Sequence, residues 1–420
     1  MCKRKNSLLN SIVKAGWWMI GLLFVLPFFG YLPHPTLLLT GIAGAIQALW
    51  QYQNRKSKPF LPVVSVDYFA FLLAIAFFLS GVASLNWRAF SEGTVRALLL
   101  MLYFPFVALF RHEVWRERAS FALQFSGGIA AFLGIFQYFR GEAPLKWVDI
   151  ERFSNIGGRV TGGFGNPNVF SVYLLLILPI SLVMLFRENE PSLSRVFSFL
   201  CLCVELLCLI LTWSRGAWLG AMLEILLFFL LFSRHTRKCL MIGIIPAVAA
   251  TFFLPANIIN RFQSIGNLNE SSIRYRIFVW RGTWEMICDH PFGIGLGYEN
   301  FTAHYLPYAV KGTETVIHSH QILLQILCEL GFIGLVLFLS FLGGTFYCLI
   351  KGGIKSKACA NSEPWSFCGG LSLLGALAAG MFDHIWYHYG VFCLFWIVAA
   401  SASSDFARER SKKAFDASIR

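Results

Sequence analysis

Apolar runs of nearly membrane-spanning length follow one another along most of the chain and are separated by polar segments. A transmembrane helix needs about 20 predominantly apolar residues. The runs of adequate length are 17–33, 36–50, 62–84, 95–110, 119–139, 169–186, 196–213, 216–232, 239–254, 330–350, 366–382 and 388–403. The pattern therefore predicts an all-α polytopic membrane protein with about 12 transmembrane helices and a single integral membrane domain over residues 1–420.

The composition agrees with this prediction. Hydrophobic residues make up 57% of the 420 residues and charged residues only 14%, whereas a soluble domain carries roughly 25% charged residues. A soluble fold is excluded, because a chain this apolar has too little polar surface to face water.

The distribution of basic residues predicts which segments face the cytoplasm. If the basic N-terminus lies inside, the alternating inner segments hold 23 of the 35 Lys and Arg residues. This is the asymmetry of the positive-inside rule. The formal charge of +13 is thereby explained, and no nucleic-acid partner is needed.

Two outward-facing loops are long enough to carry function: 140–168, and 255–318 between the ninth and tenth spans. Both are rich in Gly, Asn, Arg and aromatic residues. The outer side also holds seven of the nine histidines, which are His34, His290, His304, His318, His320, His384 and His388. We therefore expect the chemistry on the outer face.

Arg215 is predicted to open an outward-facing helix, with Ser214 as its capping residue. Its guanidinium and the helix dipole would together suit an anion such as a diphosphate. An interfacial arginine that snorkels to water is an equally good interpretation of this position alone.

The segment from Arg159 to Asn168 contains three glycines, and Asn166 or Pro167 is placed to open a helix. Its backbone amides could approach a phosphate or a sugar. A tight turn between helices is the favoured alternative. No Lys-Ser/Thr pair follows, so the segment is not a nucleotide P-loop.

Within the larger loop, periodicity over 273–288 predicts an amphipathic helix that places Arg276 and Trp280 on one face. The run Gly293–Gly297 superficially resembles a dinucleotide fingerprint. It lacks a preceding strand, so that interpretation is rejected.

Histidines stand at the start of the tenth span, in the sequence His318-Ser319-His320-Gln321. A histidine there could act as a base near neutral pH. The His-x-His pair could instead bind a metal, although no third ligand lies at a recognisable spacing. The last outer turn carries Asp383, His384, Tyr387 and His388, which we interpret as a satisfied polar cluster rather than a catalytic one.

Taken together, these segments resemble the O-antigen ligase and polymerase family of bacterial membrane glycosyltransferases. The resemblance rests on the 162–168 loop, the Ser214-Arg215-Gly216 turn, Arg276-x-x-x-Trp280 followed by Asp289-His290-Pro291, and His320-Gln321 followed by Gly331-x-x-Gly334. It covers roughly 155–340 in motif.

The resemblance implies a GT-C-like multi-helix fold in the bacterial cytoplasmic (inner) membrane, with the active site facing outward. The donor would be a glycan on undecaprenyl diphosphate, bound by Arg215 and Arg276, with Arg274 as a rival for Arg276. His320 would be the catalytic residue, and no cofactor or metal would be required. Supporting residues would be His318, Arg159, Asn166, Asn168, Trp280 and Gln321.

The acceptor stays open at this point: lipid A core for a ligase, another glycan for a polymerase, or a protein hydroxyl for a protein glycosylating enzyme. A rival of another class is a flippase or a proton-coupled transporter that uses Glu205 and Glu224, two carboxylates within apolar helices. The lack of an internal repeat argues against it. Hydrogen bonding between helices is the preferred role for both.

Overall fold

The computed structural model describes residues 16–25, 65–141, 158–188, 190–251, 256–267, 270–350, 365–386, 388–401 and 403–404. Within these ranges the chain is helical and contains no strand. The helices are α1 (Gly16–Val25), α2 (Ser65–Ala83), α3 (Trp87–Leu100), α4 (Tyr103–Leu109), α5 (Glu113–Arg140), α6 (Pro167–Phe186), α7 (Ser192–Leu211), α8 (Arg215–Leu231), α9 (Arg234–Thr251), α10 (Ala256–Gln263), α11 (Ser271–Asp289), α12 (Tyr298–Tyr305), α13 (Ile322–Leu349), α14 (Trp365–Gly380) and α15 (Tyr389–Ser401).

Six of the described segments are long and apolar enough to cross a membrane: α2, α3 with α4, α5, α6, α7 and α13. Three shorter apolar helices, α1, α14 and α15, accompany them. The all-helical, polytopic class is thus confirmed. The predicted span 36–50 lies outside the described residues, and the number of 12 spans and the sides of the loops stay predictions.

Helix α6 lies in the centre of the bundle. Its side chains are apolar all round, which is typical of a helix enclosed by others, and every residue from Val169 to Val183 is buried. It packs against α5, α7, α8 and α14. Asn166 accepts the backbone N–H groups of Asn168 and Val169, and Pro167 occupies the first helical position, so the predicted helix start is confirmed.

The two carboxylates within apolar helices are both fully buried. Glu205 on α7 accepts a hydrogen bond from Ser181 on α6 at 3.2 Å, as expected for a contact between helices. Glu224 on α8 lies against Gly375 of α14. Neither of its oxygens has a hydrogen-bond partner among the described residues.

The described part of the segment between α9 and α13, which the sequence predicts to be external, folds into helices rather than an extended loop. It contains α10, α11, α12 and a 3-10 turn at Leu306–Tyr308. The predicted amphipathic helix is confirmed as α11, which buries Val279, Gly282, Thr283, Met286 and Ile287 on one face. This face belongs to a small apolar core of its own, together with Phe301, Tyr305 and Val316.

The backbone of α13 is non-helical at Gly331, and around this residue the segment between α9 and α13 is hydrogen-bonded to the bundle. Gly331 has a φ of 68°, and the chain around it pairs with the glycine-rich stretch after α11. Ile294 N–H donates to Cys328 C=O at 2.8 Å, and Phe332 N–H donates to Pro291 C=O at 3.0 Å. Residues 322–330 therefore form a separate helical piece outside the predicted span 330–350.

We expect Gly331→Ala to lower the melting temperature of the detergent-solubilised protein. A Cβ at this position meets the backbone of Phe292, and an alanine at positive φ is strained, so the cost is roughly 1–3 kcal/mol. Gly343→Ala is the matched control on the same helix, because no atom lies within 4 Å of its added Cβ. Equal melting temperatures for the two variants would contradict the close packing of Gly331 against the backbone of Phe292.

Candidate active site

The candidate site is assembled where several helices begin. α6, α8 and α13 start at this end, α11 passes over it, and the turn between α14 and α15 closes it. Among the described residues three non-glycine residues have positive φ, and two of them, Trp213 and His320, lie here. Such strained residues cluster at functional sites.

Four arginines from distant parts of the chain line one small pocket. They are Arg159, Arg215, Arg261 and Arg276, together with Asn168 and Asp383. The structure thus brings together Arg159, Arg215, Arg276 and Asn168 among the residues that the sequence nominates. Arg261 was missed, because nothing in its local sequence distinguishes it from an ordinary surface arginine.

Two of the nominated residues on α11 lie outside this pocket. The rival arginine, Arg274, is exposed and is absent from the pocket lining. Trp280 is half-buried, and its indole nitrogen has no hydrogen-bond partner among the described residues. Of the two arginines on this helix, the geometry therefore favours Arg276 over Arg274 as a residue of the pocket.

Arg215 is held in place by four polar contacts. Its Nη2 donates to Glu270 Oε2 at 2.9 Å and to Ser272 Oγ at 2.8 Å. Its Nη1 donates to Ser264 Oγ at 2.9 Å and to Ser264 C=O at 3.2 Å. The predicted helix start is confirmed, since Arg215 is the first residue of α8 and Ser214 occupies the N-cap position, although the Ser214 side chain makes no capping hydrogen bond.

Glu270 holds two of the arginines at once. Its other oxygen, Oε1, accepts from Arg261 at 3.2 Å, and the same carboxylate caps α11 at Ile273 N–H. Burial alone would raise the pKa of Glu270, but the hydrogen bonds from Ser272 and Arg215 bring it below its ordinary value of 4.5. The carboxylate is therefore ionised at neutral pH.

The pocket keeps an excess of positive charge. Burial and the neighbouring Arg261 and Arg276 lower the pKa of Arg159 to about 9. Burial and the nearby Arg215 likewise lower the pKa of Arg276, which Asp383 opposes. All four arginines are still charged at neutral pH, whereas Glu270 and Asp383 supply two negative charges. An anion of two charges would balance them.

His320 is paired with Asp383. Nδ1 of His320 lies 3.1 Å from Oδ1 of Asp383. If Nδ1 donates this bond, as an ionised carboxylate requires, Nε2 is left as the basic nitrogen; this tautomer is assigned from the hydrogen-bond network. The His320 side chain is 23% exposed, so the free nitrogen can be reached.

A chain of polar contacts continues from Asp383 to the arginine pocket. Oδ2 of Asp383 accepts from Asn168 Nδ2 at 2.5 Å, and Asn168 Oδ1 accepts from Arg159 Nη2 at 2.5 Å. Burial would raise the pKa of Asp383, but the hydrogen bond and charge of His320, with His318 and Arg276, hold it well below its ordinary value. The sequence analysis assigned Asp383 only to a polar cluster. The feature that could have identified Asp383 as a site residue is the predicted outer turn that it shares with His384 and His388.

The remaining nominated residues have other surroundings. His318 is buried, and its Nδ1 accepts the backbone N–H of His320 at 3.2 Å. Burial and the neighbouring His320 lower its pKa to about 3, so its ring is neutral. Gln321 caps α13 by accepting Leu324 N–H at 2.5 Å, and Asn166 caps α6. Both of these residues therefore shape the helix starts.

The site also contains a set of groups that a metal ion could use. One donor atom each of His318, His320 and Asp383 lie within 4.8 Å of one another. The sequence showed no third ligand near the His-x-His pair, and the fold supplies one from a distant turn. In the structure Nδ1 of His320 is paired with Asp383, and Nδ1 of His318 accepts the backbone N–H of His320.

Glu270→Gln is expected to destabilise the protein by about 1–3 kcal/mol at neutral pH, because Arg215 then keeps a largely buried charge without its partner. Thermal unfolding in detergent measures the loss. Since the pKa of Glu270 is depressed on folding, its stabilisation is complete above pH 4.5 and disappears as the pH falls through the folded-state value. Wild type and variant should therefore converge in acid.

Glu285→Gln is the matched control for this substitution. Its partner is Arg281 on the same helix, at 3.2 Å, and both side chains are at least half exposed. Exposed pairs contribute roughly 0–1 kcal/mol. A loss for Glu270→Gln no larger than for this control would contradict the anchoring role of Glu270.

Comparison with known proteins supports the resemblance seen in the motifs. Residues 196–339 match the sequence model of the family described as O-Antigen ligase. A relative from Acinetobacter baylyi, a ComP-specific O-oligosaccharyltransferase, is 27% identical over 219 residues, which cover 49% of this chain and 38% of the relative. The chain thus spans under two fifths of that relative. The matched segment contains Arg215, Arg276 and His320, and over this segment the chain is similar to the O-antigen ligase family.

Proposed function

We propose that the protein transfers a glycan from undecaprenyl diphosphate to an acceptor hydroxyl on the outer face of the bacterial cytoplasmic membrane. The observation that carries the proposal is the placement of the His320–Asp383 pair beside a pocket of four arginines. The O-antigen ligase match over 196–339 and a relative named as an O-oligosaccharyltransferase support glycan transfer.

The chemistry of the donor follows from the compartment. Outside the cytoplasm there is no supply of ATP or nucleotide sugars, so an activated sugar has to arrive already joined to a lipid diphosphate. The diphosphate is then the leaving group, and Arg215 and Arg276 would bind it. Arginine suits this role because it stays charged and binds phosphate in a bidentate manner.

In the proposed reaction the acceptor hydroxyl loses its proton to Nε2 of His320 while its oxygen bonds to the anomeric carbon. The bond between that carbon and the phosphate oxygen breaks at the same time, and the electron pair leaves with the diphosphate. In-line attack inverts the configuration at the anomeric carbon. The arginines stabilise the charge that develops on the leaving oxygen, which is the main catalytic contribution of such preorganised groups.

Asp383 would serve as the positioning residue of this mechanism. It holds Nδ1 of His320, so that Nε2 faces the acceptor, and it stabilises the imidazolium that forms. Through Asn168 it also connects the base to Arg159. No step requires a metal ion.

His320→Ala should reduce transfer by roughly 10²–10⁴-fold, the usual contribution of a general base. Transfer is measured in proteoliposomes with a lipid-linked glycan as donor and candidate acceptors, and unchanged donor binding shows that the variant is folded. Asp383→Asn should lower the turnover, because it disturbs the orientation of the base, and should also change the KM of the donor, because it removes a negative charge that reaches Arg159 through Asn168.

His290→Ala is the matched histidine control. His290 is exposed and its ring lies against His304, away from the arginine pocket, so transfer should stay at the wild-type level. Full activity of His320→Ala would contradict the role of His320 as the general base. Complete inhibition by EDTA, restored by zinc, would instead indicate that His318, His320 and Asp383 hold a catalytic metal.

The binding role of Arg276 can be separated from general surface charge. Arg276→Ala should weaken binding of undecaprenyl diphosphate by roughly 10–100-fold, the value of a hydrogen bond between charged groups. Arg274→Ala, two residues away on the same helix and exposed, should have little effect. The reverse order of the two variants would assign the diphosphate to Arg274.

A further inference from the structure

A second and larger cavity lies beside the catalytic pair, and no step of the proposed mechanism uses it. It encloses about 540 Å³, a size typical of pockets for small organic ligands. Its wall includes Glu92, Arg96, Tyr298, Glu329, His384 and His388. His318 also lines it, and the ring centre of His318 is 4.1 Å from that of His320.

The cavity wall contains buried polar atoms that have no partner. Arg96, His384 and His388 are each more than nine-tenths buried. Among the described residues, no group pairs with Arg96 Nε, His384 Nδ1 or His388 Nε2. Since a buried polar atom without a hydrogen bond is costly, these atoms indicate a polar ligand.

The tautomer of His388 shows what such a ligand has to offer. Its Nδ1 accepts Gly390 N–H at 3.0 Å, so its Nε2 carries the proton and is a donor. Burial lowers the pKa of His388 to about 4, which keeps the ring neutral. Arg96 is a second donor, and the carboxylates of Glu92 and Glu329 are acceptors. The wall therefore combines donors and acceptors.

The charge of this cavity differs from that of the arginine pocket. Arg96 faces two carboxylates here, at 3.7 Å from Glu92 and with Glu329 in the same wall. A diphosphate would be repelled by Glu92 and Glu329. The aromatic rings of Tyr298 and Phe164 also line the cavity, and they offer flat apolar faces. A neutral polyol fits this combination, and an anion does not.

The number of binding groups separates a sugar from an amino-acid side chain. A serine or threonine hydroxyl can make at most three hydrogen bonds. It would leave most of the buried donors and acceptors of this wall unpaired. A sugar ring carries several hydroxyls, each of which both donates and accepts, so it can satisfy them together.

The wall of the cavity is also connected to the segment His318–His320. Gln325 Nε2 donates to Glu329 Oε1 at 2.9 Å, while its Oε1 accepts Ser319 N–H at 2.7 Å. Ser319 lies between His318 and His320. A ligand bound at Glu329 is thus two hydrogen bonds away from the backbone that positions the base.

We propose that this cavity binds the terminal sugar of a saccharide acceptor, whose attacking hydroxyl is directed past His318 to His320. The inference rests on the proposed glycan transfer and specifies the class of acceptor. The donor diphosphate and the acceptor sugar then occupy separate pockets of different charge, on the two sides of the His320 loop.

The test uses the full protein in proteoliposomes with a lipid-linked glycan as donor. The acceptor probes are lipid A carrying its core oligosaccharide, a second molecule of the lipid-linked glycan, and a peptide with serine and threonine. We expect transfer to a saccharide probe. Glu92→Gln and Glu329→Gln should raise the KM of that acceptor roughly tenfold or more, as expected for hydrogen bonds to a charged group, and change the KM of the donor less than about twofold.

Two further variants keep the test interpretable. Tyr298→Ala changes a residue that is 54% exposed and leaves the buried network intact, so a raised acceptor KM cannot be attributed to misfolding. Glu285→Gln, at an exposed carboxylate on α11, should leave both KM values unchanged.

The outcomes are distinct. Transfer to the peptide alone, donor cleavage without transfer to either saccharide, or an unchanged acceptor KM in all three cavity variants would overturn the acceptor proposal. Failure to cleave the lipid-linked donor at all would instead overturn the proposed function.

Discussion

The site depends on holding four guanidinium groups together in a poorly hydrated pocket against their mutual repulsion. Two carboxylates make this possible. Glu270 bonds Arg215 and Arg261, and Asp383 reaches Arg159 through Asn168. The compensation is incomplete, since four guanidinium groups face two carboxylates, and the remaining positive charge would suit the anionic leaving group of the proposed reaction. In the proposed reaction the pocket would be ordered before the donor arrives, which would avoid reorganisation during the reaction.

Asp383, one of the two carboxylates that balance the arginines, also contacts His320, the proposed base. Asp383 contacts His320 through one oxygen and Asn168 through the other. In the proposed reaction a change at Asp383 would therefore affect both donor binding and proton transfer. Asp383 and Asn168 therefore connect His320 to the arginine pocket, although these residues come from different parts of the chain.

A glycine at a helix break, Gly331, determines how the segment between α9 and α13 packs on the bundle. The positive φ of Gly331 ends the short helix that starts just after His320 and lets the backbone of 291–295 pair with it. The motif Gly331-x-x-Gly334 is therefore a packing device. In the proposed reaction it would act through the position that it gives to α11, which carries Arg276.

Much of the chain could be predicted from its sequence, because the constraints are local. Helices α5, α6 and α7 follow from uninterrupted apolar runs, the start of α6 from Asn166-Pro167, and α11 from its periodicity. Arg215 and His320 stood out beside predicted apolar spans, Arg276 stood out on the amphipathic helix that it shares with Trp280, and the resemblance to the O-antigen ligase family gave roles to all three.

Other features were decided only by tertiary structure. The choice of Arg276 over Arg274 depends on which side of α11 faces the pocket, and Gln321 acts as a cap because α13 begins after it. Asp383 pairs with a histidine 63 positions earlier, and Glu92 and Glu329 share a wall with His384 although no local pattern joins them. Hydropathy and capping are properties of neighbouring residues, whereas charge pairing and cavity lining arise from packing between helices far apart in the chain. The sequence by itself therefore determined a helical membrane protein and predicted segments between its spans that carry arginines and histidines, and only the packed bundle decided which of those residues meet.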